Sequence, residues 1–144
     1  MYAVLATPIA SLLTILAAVL YMTTAVRVAT MRGKHKIDAP AVTGHPEFER
    51  AYRVQMNTLE SLPVFLPGLW LATIYFSAAL AIVWWLPAVF GLLWIVGRYL
   101  YMQGYIADAS KRSTGFLVSA IAQITLLVLA LIGIVMSWPL VAST

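Results

Sequence analysis

The chain contains no cysteine. Disulfides, thiolate metal sites and a cysteine nucleophile are therefore excluded, and any thiol chemistry must use a thiol carried by a ligand. It is also short of charge. Only 10% of its 144 residues are charged, where a soluble domain carries roughly 25%. Residues 1–26, 61–97 and 113–144 contain no Asp, Glu, Lys or Arg at all. Hydrophobic residues make up 62% of the sequence, and its mean hydropathy is +0.92. A water-soluble domain is excluded; this is an integral membrane protein, with membrane lipids as partners and no nucleic acid expected.

What charge there is sits in two windows, Arg27–Glu60 and Arg98–Arg112. Basic residues concentrate on the cytoplasmic side of membrane proteins, so both windows are expected to face the cytoplasm. Both termini and the turn near residues 76–80 then lie on the other side. An even number of spans satisfies this, and the length of the apolar segments makes it four. The expected architecture is an all-α, four-helix membrane bundle occupying residues 1–144 as one domain. Its helices fall near 4–30, 46–76, 80–107 and 114–138, and a bacterial inner membrane is the expected location. A cleaved signal peptide is the alternative for the first helix, but the basic leader is missing and the apolar run is too long. The chain ends without a hydrophilic tail, so no appended domain is expected.

The loop GKHKIDAPAVTGHP has turn-forming composition. Its His35 and His45 read as surface histidines, since no further ligand stands at metal spacing; no metal is expected. Pro46 suits the first position of the second helix, with Glu47 and Glu49 in a first turn that favours anions. Pro63 and Pro67 each remove a backbone donor, which predicts a bend. Trp84 and Trp85 suit a membrane interface, and Ser113 or Thr114 can cap the fourth helix.

Phe48–Pro63, FERAYRVQMNTLESLP, is the stretch that asks for an explanation. Arg50, Arg53, Asn57 and Glu60 fall within roughly 80° of one helix face. An ionised residue at mid-membrane costs roughly 2.5–3.5 kcal/mol, so a retained polar stripe points at a bundle interior, a partner or a ligand. Arg53 and Glu60 lie two turns apart, and the structural reading is that they serve an interhelical ion pair setting register in a bundle or oligomer. The third helix brings Arg98, Tyr101 and Tyr105 to the same leaflet, and the next loop adds Arg112. Guanidinium and phenol donors with one carboxylate suit a small zwitterionic or multiply anionic guest. The apolar surface between helices leaves room for a lipophilic second substrate.

FERAYRVQMNTLESLPVFLPGLW and GRYLYMQGYIADASKR resemble the membrane-associated proteins in eicosanoid and glutathione metabolism. That family includes microsomal glutathione transferases, a leukotriene synthase and a lipoxygenase-activating scaffold. The likeness rests on the spacing of Glu49, Arg50, Arg53, Asn57 and Glu60, and on Tyr-x-x-Gly-Tyr at Tyr101–Tyr105. It implies a homotrimer with glutathione as co-substrate, bound between neighbouring subunits. By matching position it implies that Arg53, Asn57 and Glu60 hold the tripeptide, with Gln55, Tyr101 and Tyr105 in the same region. Arg32 is implied to reach the site from the first helix, with Arg27 as the fallback. Arg112 stands where the leukotriene synthase branch has the arginine credited with stabilising the thiolate. Ser61 departs from that branch, which has a tyrosine there, so the lipid substrate does not carry over.

The implied activity is that of a glutathione transferase, Arg112 activating the ligand's sulfur for attack on a lipophilic electrophile. Two other readings compete: a non-catalytic lipid-binding scaffold on the same fold, and a small proton-coupled transporter using Glu60.

Overall fold

The computed structural model describes residues 2–142. Four long helices account for most of them: α1 (Tyr2–Lys34), α2 (Pro46–Leu71), α3 (Leu86–Ala107) and α4 (Ser113–Ala142). No strand occurs among the described residues. With their flanking turns, the four apolar stretches span 31, 34, 27 and 30 residues, whereas about 20 suffice to cross the hydrocarbon. This is a membrane-spanning four-helix bundle. Large apolar side chains face outward as lipid requires: on α1, Val4, Leu12, Ile15, Val19 and Met22 are exposed, while Ala10, Ala17 and Thr24 are buried together with Leu13, Leu20 and Val28. Small residues on the inner face let helices approach where lipid supplies no hydrophobic drive.

The core is built around Phe65 of α2 and Trp94 of α3, whose rings stack with centroids 3.8 Å apart. Beneath the stack lies a polar node. Ser61 Oγ donates to Gln123 Oε1 (2.7 Å), and Trp94 Nε1 donates to the same oxygen (3.1 Å) and to Ser61 Oγ (3.3 Å). Replacing Gln123 by Leu strips both donors of their shared acceptor in an apolar interior, at a cost of roughly 1 kcal/mol or more. A lowered thermal midpoint in detergent is expected for this variant; an unchanged midpoint would show the node to be dispensable.

Antiparallel α3 and α4 cross at glycines. A side chain on Gly97 would meet Ser119, and one on Gly115 would run into the backbone of Tyr101. The two contacts lie one helical turn apart, so they fix how Tyr101 is presented to the neighbouring helix.

The helix ends follow the local chemistry. Lys36 adopts a left-handed conformation (φ 53°) after α1, with Ile37 N bonded to Arg32 O and Lys36 N to Gly33 O. This is the hydrogen-bond pattern of a Schellman stop. Pro46 opens α2 as expected, and His45 is its N-cap, accepting from Glu47 N through Nδ1 (3.3 Å). α2 continues as helix through Pro63 and Pro67, both inside its span. The departure from α geometry comes later, as a π turn over Ala72–Phe76 in which Ser77 N reaches Ala72 O. The chain then reverses through Leu80 and a 3₁₀ turn at Ala81–Val83, with Ser77 Oγ donating to Trp84 O (2.7 Å).

The α3–α4 connection also differs from expectation. A 3₁₀ turn, Ala109–Arg112, passes directly into α4, and its cap is Asp108 rather than Ser113 or Thr114. Asp108 Oδ1 accepts from Ser110 N and Ser110 Oγ, both at 2.8 Å. These bonds, the backbone one first, hold its carboxyl below the usual carboxylate range. A depressed pKa means the cap is in force above the unfolded value and is lost only as pH falls through the folded one. The turn carrying Arg112 is therefore held at neutral pH.

Candidate functional site

At the charged end of the bundle, α2, α3 and α4 line an open cavity of about 780 Å³. Arg53 and Asn57 line it from α2, Tyr101 and Tyr105 from α3, Arg112 from the end of the 3₁₀ turn, and Ser113, Phe116 and Leu117 from the start of α4. Arg53 and Asn57 share it because they sit one turn apart on α2. Tyr101 and Tyr105 do so for the same reason on α3, their ring centroids 5.6 Å apart. Arg112 lies over the Tyr105 ring at 5.4 Å, and its Nη1 donates to Tyr105 Oη at 3.4 Å. The guanidinium is thus held at the rim without being neutralised.

A smaller cavity of about 220 Å³ continues inward and shares Asn57 and Phe116 with the first. Glu60, Ser61, Arg98, Ser119 and Gln123 line it. Arg98 is only 2% exposed. Its Nη1 donates to Asn57 Oδ1 (3.1 Å), its Nη2 to Thr58 Oγ1 (2.8 Å), and it packs over Tyr101 at 4.5 Å. The buried Nε meets no acceptor among the described residues. A buried cation of this kind has a structural consequence: it turns the Asn57 amide in place and adds positive potential behind the cavity wall.

Within this single chain no register-setting ion pair forms at Arg53 or Glu60 among the described residues. Both side chains are exposed along the α2 face that borders the cavities. Arg50 has a structural task, its Nε donating to Ile106 O (3.1 Å) near the end of α3.

Of the residues named from sequence, Arg53, Asn57, Tyr101, Tyr105 and Arg112 meet in one cavity and Glu60 in the adjoining one. Arg32 and Gln55 do not join them within this chain. Arg32 Nη1 donates to Ile37 O (3.3 Å) and Asp38 O (3.1 Å), and its guanidinium lies over Phe48 at 4.8 Å. Gln55 sits about 200° around α2 from Arg53, on the side of Phe48. Arg27 is half-buried on α1 and lines neither cavity. Phe116 and Leu117 are wall residues that sequence reasoning missed, since nothing in the apolar α4 distinguishes them from lipid-facing neighbours. Arg98 carried a signal, a lone arginine ahead of the tyrosines, but not its role as support for Asn57.

Comparison with known proteins bears on what such a cavity holds. A family model described as the MAPEG family matches residues 10–132. Microsomal glutathione S-transferase 2 of Mus musculus is 47% identical over 108 residues, covering 75% of this chain and 69% of that protein. Leukotriene C4 synthase of Cavia porcellus is 37% identical over 121 residues, covering 84% and 77%. A Synechocystis protein described as uncharacterized is 43% identical over 124 residues, 86% of both chains.

Proposed function

The chain belongs to the MAPEG family, and from that premise we propose that it is a membrane-bound glutathione transferase acting on lipophilic electrophiles. The observation that carries the reading is the convergence of Arg53, Asn57, Tyr101, Tyr105 and Arg112 on one cavity of about 780 Å³. That is within the ordinary size range for a small-molecule site. It presents two guanidinium groups toward an anionic peptide, with Glu60 in the adjoining recess for its ammonium.

In this mechanism Arg53 and Asn57 hold carboxylate and amide groups of the tripeptide, and Tyr101 and Tyr105 donate along its length. Arg112 stands closest to the rim, where the sulfur meets a substrate arriving from the bilayer. The thiol proton passes to water. The thiolate then forms a carbon–sulfur bond with the electrophile, whose leaving group departs or whose strained ring opens and takes up a proton. Arg112 favours the ionised sulfur over the neutral thiol, which is what accelerates attack.

A single chain presents Arg32 and Gln55 on the side of α2 opposite Arg53. A closed ring of identical copies, each offering that side to its neighbour's cavity, uses both sets in one site. A homotrimer is the assembly we propose, with the cavities toward the cytoplasm. Equilibrium dialysis with glutathione tests the reading: saturable binding at one ligand per chain or fewer is expected. No binding at millimolar glutathione would favour a lipid-binding scaffold on the same fold.

A further inference from the structure

His35, His45 and Glu47 lie away from both cavities, at the corner where α1 passes into α2, and we propose that they form a binding site for a transition-metal dication, zinc in particular. In sequence the two histidines are ten residues apart, separated by a loop. The fold removes that separation. The two imidazoles stack with centroids 3.6 Å apart and planes 12° from parallel. Glu47 Oε2 accepts from His35 Nε2 at 2.9 Å. One ring nitrogen from each histidine and one carboxylate oxygen lie within 4.8 Å of one another.

All three side chains are partly buried, so their orientations are limited before any ion arrives. Their backbones are fixed as well, His35 by its bond to Met31 O and His45 as the cap of α2. Zinc–nitrogen and zinc–oxygen bonds of about 2.0–2.2 Å bring ligand atoms to about 3.4 Å from one another. The stacked rings hold their in-plane lone pairs side by side, so binding requires one imidazole to rotate out of the stack until both nitrogens aim at the same ion. Two imidazoles and a carboxylate are a nitrogen-rich, borderline set that suits zinc, nickel or copper and not calcium or magnesium, which prefer oxygen cages. A fourth position is left for water.

Two groups oppose the ion. Lys34 Nζ sits 2.6 Å from Glu47 Oε2, and the N-terminus of α2 carries a partial positive charge. The Lys34 side chain is 55% exposed and swings into solvent without loss of packing. Glu47, in the first turn of α2, offsets the dipole. The weak 3.3 Å cap from His45 Nδ1 to Glu47 N is released if that nitrogen takes the metal. Binding joins the last residues of α1 to the first of α2, and so closes the loop whose carbonyls hold Arg32.

The experiment is a zinc titration of protein purified in detergent without a histidine tag, followed by calorimetry and by the visible ligand-field band of Co²⁺ as a substitute ion. His35 and His45 are the two histidines in the sequence, so the assay has no other imidazole to detect. One ion per chain is expected, together with a zinc-dependent rise in thermal midpoint. His35→Ala is expected to lower affinity at least about tenfold and abolish the Co²⁺ band. His45→Ala is expected to do the same, and should its loss of the α2 cap prevent folding, His35→Ala carries the test. The metal-free thermal midpoint of each variant shows whether it has folded. Absence of binding, or zinc affinity unchanged in folded His35→Ala, overturns the proposal.

Discussion

Arg112→Ala is expected to lower turnover about 10- to 100-fold at neutral pH while changing glutathione affinity far less. A free thiol with a pKa near 8.5 is only about 3% ionised at pH 7. Lowering it by about two units raises the thiolate fraction roughly 25-fold, and each unit corresponds to 1.36 kcal/mol of preferential stabilisation. Part of that gain is offset because a less basic thiolate is a weaker nucleophile. Fixed placement of the guanidinium beside the reacting sulfur adds to what remains. Tyr105 supplies that placement, with Arg112 Nη1 on its hydroxyl at 3.4 Å and the guanidinium over its ring. Arg112→Lys is expected to recover only part of the loss, since a lysine keeps the charge but not the planar fork. The pH profile distinguishes activation from positioning: in Arg112→Ala the rise in rate should move to higher pH. The same turnover with the same profile would remove Arg112 from the chemistry.

Arg98→Met is expected to weaken glutathione binding by about tenfold without lowering the stability of the protein. Arg98 is buried and its Nε has no acceptor among the described residues, so keeping the charge there is costly. An apolar side chain of similar length removes that cost. What the variant loses is the bond to Asn57 Oδ1, leaving the Asn57 amide free to turn away from the ligand. The bond to Thr58 is lost as well, but Thr58 Oγ1 also donates to Val54 O at 2.8 Å and is not orphaned. Thermal midpoints and binding isotherms, measured on the same preparation, give both halves of the result. Falling stability with unchanged affinity would make Arg98 a structural residue only.

The spans were legible because long uncharged runs in a chain with so little charge have few alternatives to crossing a membrane. The polar wall of α2 was legible for a similar reason. Arg53, Asn57 and Glu60 recur at helical spacing where apolar residues are the rule, and the fold puts them beside the cavities. Tyr101, Tyr105 and Arg112 joined them because α3 and α4 cross at Gly97 and Gly115, a packing detail that motif spacing only hinted at. Other features depend on contacts distant in sequence. Phe116 and Leu117 look like any lipid-facing pair and stay exposed in the fold, and only their place beside Tyr101 and Arg112 at the α3–α4 junction makes them cavity wall. The stacking of His35 on His45 depends on how an irregular loop folds back. Pro63 and Pro67 lie inside α2 on an exposed face without ending it. The irregular turn appears at Ala72–Phe76, where no proline marks it. Arg32 and Gln55 resemble site residues in sequence, yet a single chain holds them apart from the cavity.

The central claim is that this chain binds glutathione and ionises its sulfur. An ultraviolet thiolate difference spectrum, recorded as glutathione is added to the purified protein at neutral pH, tests both parts together. A thiolate absorbance that saturates with ligand, and is lost in Arg112→Ala while glutathione remains bound, is the predicted result. Saturable binding with no thiolate signal in the unsubstituted protein would contradict it.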